Sequence, residues 1–198
     1  MLVAGGCTVP VILPVVMAKP LPRVTAIDHT LRFDSTSTDA IVVFGFSSVR
    51  TVWIRPGAGD GAHWYCSLKS TITRLKPEAG FIVARLPAKT TYAIVATSLD
   101  LDPGERAEGP LQNEAVWVFS AEPGKVTYLG GLRLGPWSDH APSILRDERF
   151  KQSEADDFLT SAFPNVPIHV TEGRMDPVYL VADPNRWHTP VHDTSGCF

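Results

Sequence analysis

The feature that most constrains this chain is a succession of short runs rich in Val, Ile, Phe, Tyr and Trp, each broken by Pro, Gly or a cluster of Asp, Ser and Thr. Such residues suit a pleated, half-buried surface, and the breakers between them supply turn chemistry. The runs cover 24–33, 40–46, 50–55, 62–75, 81–86, 91–99, 115–120 and 125–134, with a last one within "NVPIHVTEG". Run 40–46, "AIVVFGF", is apolar on both faces and so reads as a central strand. Run 50–55 alternates Val52 and Ile54 against Thr51, Trp53 and Arg55. "PGAGDG" reads as a turn. "AEPG" places Pro123 where φ is fixed and Gly124 where positive φ is tolerated, so 115–134 reads as a hairpin.

No alternation of strands with long helical patterns is present, so a parallel, helix-flanked sheet is not expected. The expected fold is mainly β: an antiparallel sandwich of about seven to nine short strands with one C-terminal helix. That helix falls in "KQSEADDFLTSAFP", with Ser153 as N-cap, Glu154, Asp156 and Asp157 in its first turn, and Pro164 ending it. Phe158, Leu159, Ala162 and Phe163 share a face, which is expected to pack on a sandwich edge or open end. The chain divides into a leader and linker at 1–23, a sandwich at 24–147, and a helix plus extension at 148–198. The 44% hydrophobic content supports a core, and Trp53 and Trp117 are expected in it. A net charge of −3, with no Lys or Arg cluster, argues against nucleic acid as a partner.

The opening, "MLVAGGCTVP", carries no charge until Lys19. Gly5, Gly6, Pro10 and Pro14 interrupt it, and a spanning helix needs about 20 apolar residues. "VAGGC" instead resembles a bacterial lipobox, with small residues before Cys7, the lipidation candidate. It departs at Ala4, where a larger aliphatic is usual, and in having no basic start. A start inside the true signal peptide accounts for both. Two other readings stay open: secretion with cleavage after Ala18, and Cys7 as a small buried hydrophobe. With Cys7 lipidated, Cys66 and Cys197 remain as disulfide candidates in an oxidising compartment or as two separate thiols.

"GFIVARLPAKTTYAIVA" and "FSAEPGKVTYLGGLRL" resemble two strand–Pro–strand signatures of transthyretin-like or carboxypeptidase-regulatory-like sandwiches. More narrowly, they are similar to the uncharacterised bacterial lipoproteins of the DUF2846-like type. The matching positions are Phe81, Pro87, Tyr92, Phe119, Pro123, Gly124, Tyr128 and Gly130. The tail "FLTSAFPNV" resembles the helix and Phe-Pro step that follow that domain. The pattern spans about residues 40–165 and departs at Lys89, where such turns more often hold Gly. It implies a lipidated sandwich of the cell envelope facing the periplasm, with no established activity and no inherited catalytic residues.

No G-x-S-x-G, phosphate loop or H-E-x-x-H motif occurs. "WSDH" sets Ser138, Asp139 and His140 side by side, but neighbours in a strand face opposite ways, so a polar loop is the expected reading. His188 and His192 are four apart, the helical spacing of a zinc pair, with Pro190 between them opposing the helix. They are retained as weak metal candidates. His63 and Cys66 in "HWYC" make a ligand pair without partners, and Asp100, Asp102 and Glu105 read as a solvated turn. The expectation is therefore a non-enzymatic envelope lipoprotein with a binding or structural sandwich and no cofactor. Its partners would be the membrane, through the lipid, and another envelope protein. The alternatives are a periplasmic or secreted hydrolase or metal-dependent enzyme, and a carbohydrate- or peptide-binding module marked by aligned exposed aromatics on one sheet.

Overall fold

The computed structural model describes residues 25–26, 32–66, 73–98, 115–137, 142–166 and 169–181. Twelve strands and one helix follow in chain order: β1 (Thr25–Ala26), β2 (Asp39–Phe46), β3 (Thr51–Gly59), β4 (His63–Cys66), β5 (Thr73–Leu75), β6 (Phe81–Pro87), β7 (Thr91–Ser98), β8 (Ala115–Ser120), β9 (Val126–Trp137), β10 (Pro142–Arg146), α1 (Gln152–Ala162), β11 (Val170–Glu172) and β12 (Met175–Val181). The fold is mainly β, as the short alternating runs required. One sheet has the order β1-β6-β2-β9-β10, with β11 also paired to β9; the other runs β4-β12-β8-β7-β3-β5.

Side-chain alternation along the strands divides the core in three. Val42, Phe44 and Phe46 of β2 meet Val52 and Ile54 of β3 and Tyr92 and Ile94 of β7 between the sheets. Ile41 and Val43 point the other way, under the helix. β2 lies between β6 and β9 and is buried on both faces, as its unbroken apolar run implied.

The second sheet closes on itself. β4 pairs with β12 on one side and with the end of β3 on the other, so β3, β7, β8, β12 and β4 form a continuous hydrogen-bonded ring. The third cluster, including Trp53, Trp64, Val95, Val116, Val178 and Leu180, fills this small barrel. A narrow barrel is packed by side chains, not hollow. Trp64 is fully buried, and its indole lies where a Cβ on Gly57 would stand 2.4 Å from the ring. Only glycine admits that ring. This explains why "PGAGDG" is not a turn from its start: β3 runs through Gly59. The turn comes at Asp60, whose Oδ1 accepts from the backbone N–H of Ala62 at 3.0 Å and of His63 at 2.8 Å.

Both signatures that resemble the lipoprotein family are arches between sheets. β6 and β7 belong to different sheets, as do β8 and β9, so 115–134 is not a hairpin. The turn residues act as expected, with Gly124 at φ +70°. However, the Gly124 N–H donates to Asp39 O at 2.8 Å, and this draws β9 alongside β2 in parallel. β11 with β9 and β12 with β4 are also parallel, so the sheets are mixed and not purely antiparallel. In the first arch the Tyr92 hydroxyl donates to Pro87 O at 2.8 Å, and burial pushes its pKa up to about 12. Lys89 takes φ +67°, the left-handed conformation for which this turn prefers Gly.

The helix differs in start and in place. Its N-cap is Lys151, not Ser153, because the Glu154 carboxylate turns back to accept from the Lys151 N–H at 3.1 Å. It covers the outer face of the first sheet, not an edge. Phe158 stacks on Phe81 at 5.1 Å between centroids, and Phe150 meets Phe81 edge-on at 5.5 Å. Phe150 lies against two glycines: a Cβ at Gly45 would fall 2.1 Å from its ring, and one at Gly131 would fall 2.7 Å away. Gly45 and Gly131 are register partners on β2 and β9. The segment expected as an extension also adds β11 to one sheet and β12 to the other. Run 62–75 yields two separate strands, β4 and β5.

Gly45→Ala should destabilise the fold by about 1–3 kcal/mol through overpacking, measured by denaturant unfolding. In a Phe150→Ala background the same change should cost much less, because the ring it strikes is gone. Lys89→Gly should stabilise by about 0.5 kcal/mol on relief of the left-handed strain, and Lys89→Val should destabilise.

Candidate functional site

At one end of the barrel β3 and β8 finish while β4, β7 and β12 begin. A cleft of about 460 Å³ opens there, beside the start of β9 and β11 of the other sheet. Mouths of β-barrels are recurrent binding sites, and the volume falls in the range of about 300–1,000 Å³ typical of small-molecule pockets. Val118 and Val178 bring the barrel's apolar lining into the cleft, together with Phe119 and Trp64. The Trp64 indole N–H is buried with no acceptor.

The polar lining carries two ion pairs and the further carboxylate of Glu172. Lys125 Nζ pairs with Glu122, three residues away across the arch turn. The Arg174 guanidinium pairs with Asp176 across the entry to β12. His63 Nδ1 lies 3.3 Å from Asp60 Oδ2. Hydrogen bonds from the His63 and Ala62 backbone hold the Asp60 carboxyl below its usual pKa. Thr91, Ser120, Thr127 and Thr171 add hydroxyls. Thr171 Oγ1 donates to Val126 O at 3.2 Å.

A second cavity, of about 830 Å³, lies across the Glu172–Gly173–Arg174 ridge, between the β9 bulge and the start of the helix. Arg146 dominates it. Its guanidinium donates to Leu129 O at 2.7 Å and to Met175 O at 2.5 Å, and lies 4.9 Å from the Trp117 ring centroid. The Trp117 indole N–H donates to Ile144 O at 2.8 Å. These contacts fasten the two sheets together, which is structural work. Asp147 follows, its side chain only 3% exposed and bound by the Arg149 guanidinium through both oxygens, at 2.8 and 2.7 Å. The Arg149 hydrogen bonds hold its carboxyl well below the usual range. Burial pushes the Tyr128 phenol up to about 12.

Among the described residues singled out for chemistry, only His63 lines the cleft, with its ring turned to Asp60. Trp53 is buried in the barrel, its indole N–H donating to Ser98 Oγ at 2.8 Å. Trp117 is partly buried between the sheets. Cys66 ends β4, but its side chain lies outside the described residues. Cys7, Cys197, His188, His192, Ser138, Asp139, His140, Asp100, Asp102 and Glu105 lie outside them altogether. Among the described residues no three His, Cys, Asp or Glu side chains group to hold a metal ion, and no helix is long and apolar enough to cross a membrane. Among the described residues, the exposed aromatics Trp137 and Tyr179 stand on different sheets and form no aligned platform. Trp64, Glu122, Lys125, Arg174 and Asp176 carried no motif. Only the alternation in "HWYC", which sends Trp64 and His63 to opposite faces, hinted at any of them. Compared with models of known protein families, with curated proteins and with solved structures, the chain matches none.

Asp147→Asn should destabilise the fold by about 1.5–3 kcal/mol, the worth of hydrogen bonds to a charged partner. Because the folded-state pKa is depressed, the ionised carboxylate stabilises the fold above its unfolded pKa of about 3.9, and that contribution fades as pH falls further. Unfolding free energies measured between pH 7 and 2 should therefore drop less steeply on the acid side in the Asn variant than in the wild type.

Proposed function

We propose that this chain is a non-enzymatic binding protein of the bacterial cell envelope, carried on acyl chains at Cys7, with the barrel-mouth cleft as its binding surface. The observation that carries the binding half is the closed strand ring. It gathers apolar and polar side chains from β4, β7, β8 and β12 around one cavity. Side chains held on strands need little reordering when a ligand arrives, which favours recognition. The ion pairs of the rim, Lys125 with Glu122 and Arg174 with Asp176, set several hydrogen-bond donors and acceptors beside the cavity, which suits binding. The anchor half rests on "VAGGC" and on the resemblance to envelope lipoproteins. Several acyl chains on one residue hold a protein at a bilayer far more firmly than a single myristoyl group. Anchored in this way, the sandwich would present its cleft in the periplasm to a ligand or to another envelope protein.

Metabolic labelling of the full gene product with tagged palmitate in a bacterial host should give a labelled band in the membrane fraction. Cys7→Ala should abolish the label. Label absent from the wild type, or retained by the variant, would remove the anchor.

A further inference from the structure

We infer that the start of β12, Met175–Val178, is a guarded strand edge, at which Pro177 and Arg146 keep a second copy of this chain from pairing. The guard acts whether or not the cleft takes a ligand.

β4 covers only the later part of β12. Its register partners there are Tyr179, Leu180 and Val181, while β8 follows β12 from Met175 to Tyr179. No β4 residue stands opposite Met175–Val178, so among the described residues this stretch has a strand partner on one side only. The cleft lies beside it, with Asp176 and Val178 in its lining. Unpaired backbone groups next to open space are a template for another strand.

The groups on that edge can be assigned. The Tyr179 N–H donates to Ala62 O at 3.2 Å, so the Tyr179 backbone faces β4. Strand alternation turns the backbone groups of Pro177 and Met175 to the same side, and those of Asp176 and Val178 to β8. Pro177 has no N–H to offer. The Met175 carbonyl accepts from the Arg146 guanidinium at 2.5 Å. A strand added in parallel, the direction of β4, would need both groups: it would donate to Met175 O and accept from an N–H at position 177. A strand added antiparallel would need an N–H and a C=O from one residue, and neither Met175 nor Pro177 has both open. Proline within a sheet belongs where its nitrogen faces no partner strand, and the exposed Pro177 occupies such a position.

Asp176 adds a third barrier. It alternates with Val178 and Leu180, which fill the barrel, so it lies on the inner face at the mouth, paired with Arg174. A strand laid across the mouth would have to cover that charge. Edge prolines and inward-pointing charges are both devices by which sheet proteins avoid edge-to-edge pairing.

The test is sedimentation velocity of the full chain over a concentration series, with amide hydrogen exchange on the same samples. Pro177→Ala restores the missing N–H without adding a large apolar side chain. It should self-associate more tightly than the wild type by about fivefold or more. The amides of Met175 and of position 177 should gain protection as concentration rises. Pro177→Thr, which places a better strand former there, should do the same. Both variants associating no more than the wild type would overturn the inference. Tighter association with no new protection at those two amides would overturn it too, as would a wild type that already pairs through this edge.

Discussion

The double pairing of β4 governs this structure. One short strand, His63–Cys66, bonds to β12 on one side and to the tail of β3 on the other, and that turns an open sheet into a ring. The ring closes only around something of the right bulk, and Trp64 supplies it. The indole is fully buried and lies over the backbone at Gly57, where any side chain would collide with it. Closure has two consequences. It gives each barrel strand a partner on both sides over part of its length, which reduces the edge open to edge-to-edge association. It also gathers the ends of five strands around one opening, which creates the cleft.

A second packing device mirrors the first on the opposite side of the molecule. Phe150 lies on Gly45 and Gly131 as Trp64 lies on Gly57. In both places a large ring rests on bare backbone, with Phe81 and Phe158 beside Phe150 near the helix and Trp53 in the same core cluster as Trp64 in the barrel. Arg146 then ties the halves together, spanning from β10 to a carbonyl of β12 and lying against Trp117. The molecule is thus a β-sandwich with a helix on one outer face and a closed ring on the other.

The strands were legible because alternation and turn chemistry are local. β2, β6, β7, β8 and the first part of β9 fall close to the runs read from the sequence, and both arch turns were placed correctly. Three elements were not legible, each for a physical reason. β12 contains Pro177, which argues against a strand, yet it pairs with β8 opposite Trp117. β10 is five residues long and has little pattern of its own. The helix start was misplaced because the reciprocal bond from Glu154, not a hydroxyl at Ser153, settles the cap. The site was less legible still. Glu122, Lys125, Arg174 and Asp176 are ordinary charged residues near turns, and among the described residues noted for chemistry only His63 lines the cleft.

The sequence alone determined that the chain folds as brief extended segments with one late helix, since period-two patterning, Pro and Gly act within a few residues. Tertiary structure decided which sheet each strand joins. An arch and a hairpin share the same turn residues, and the choice between them is made by distant partners such as the Gly124 bond to Asp39. It also decided that β4 closes a ring and that the helix covers a face. Those outcomes depend on ring-on-glycine contacts between residues far apart in the chain, where shape is matched across space and leaves no periodic trace in the sequence.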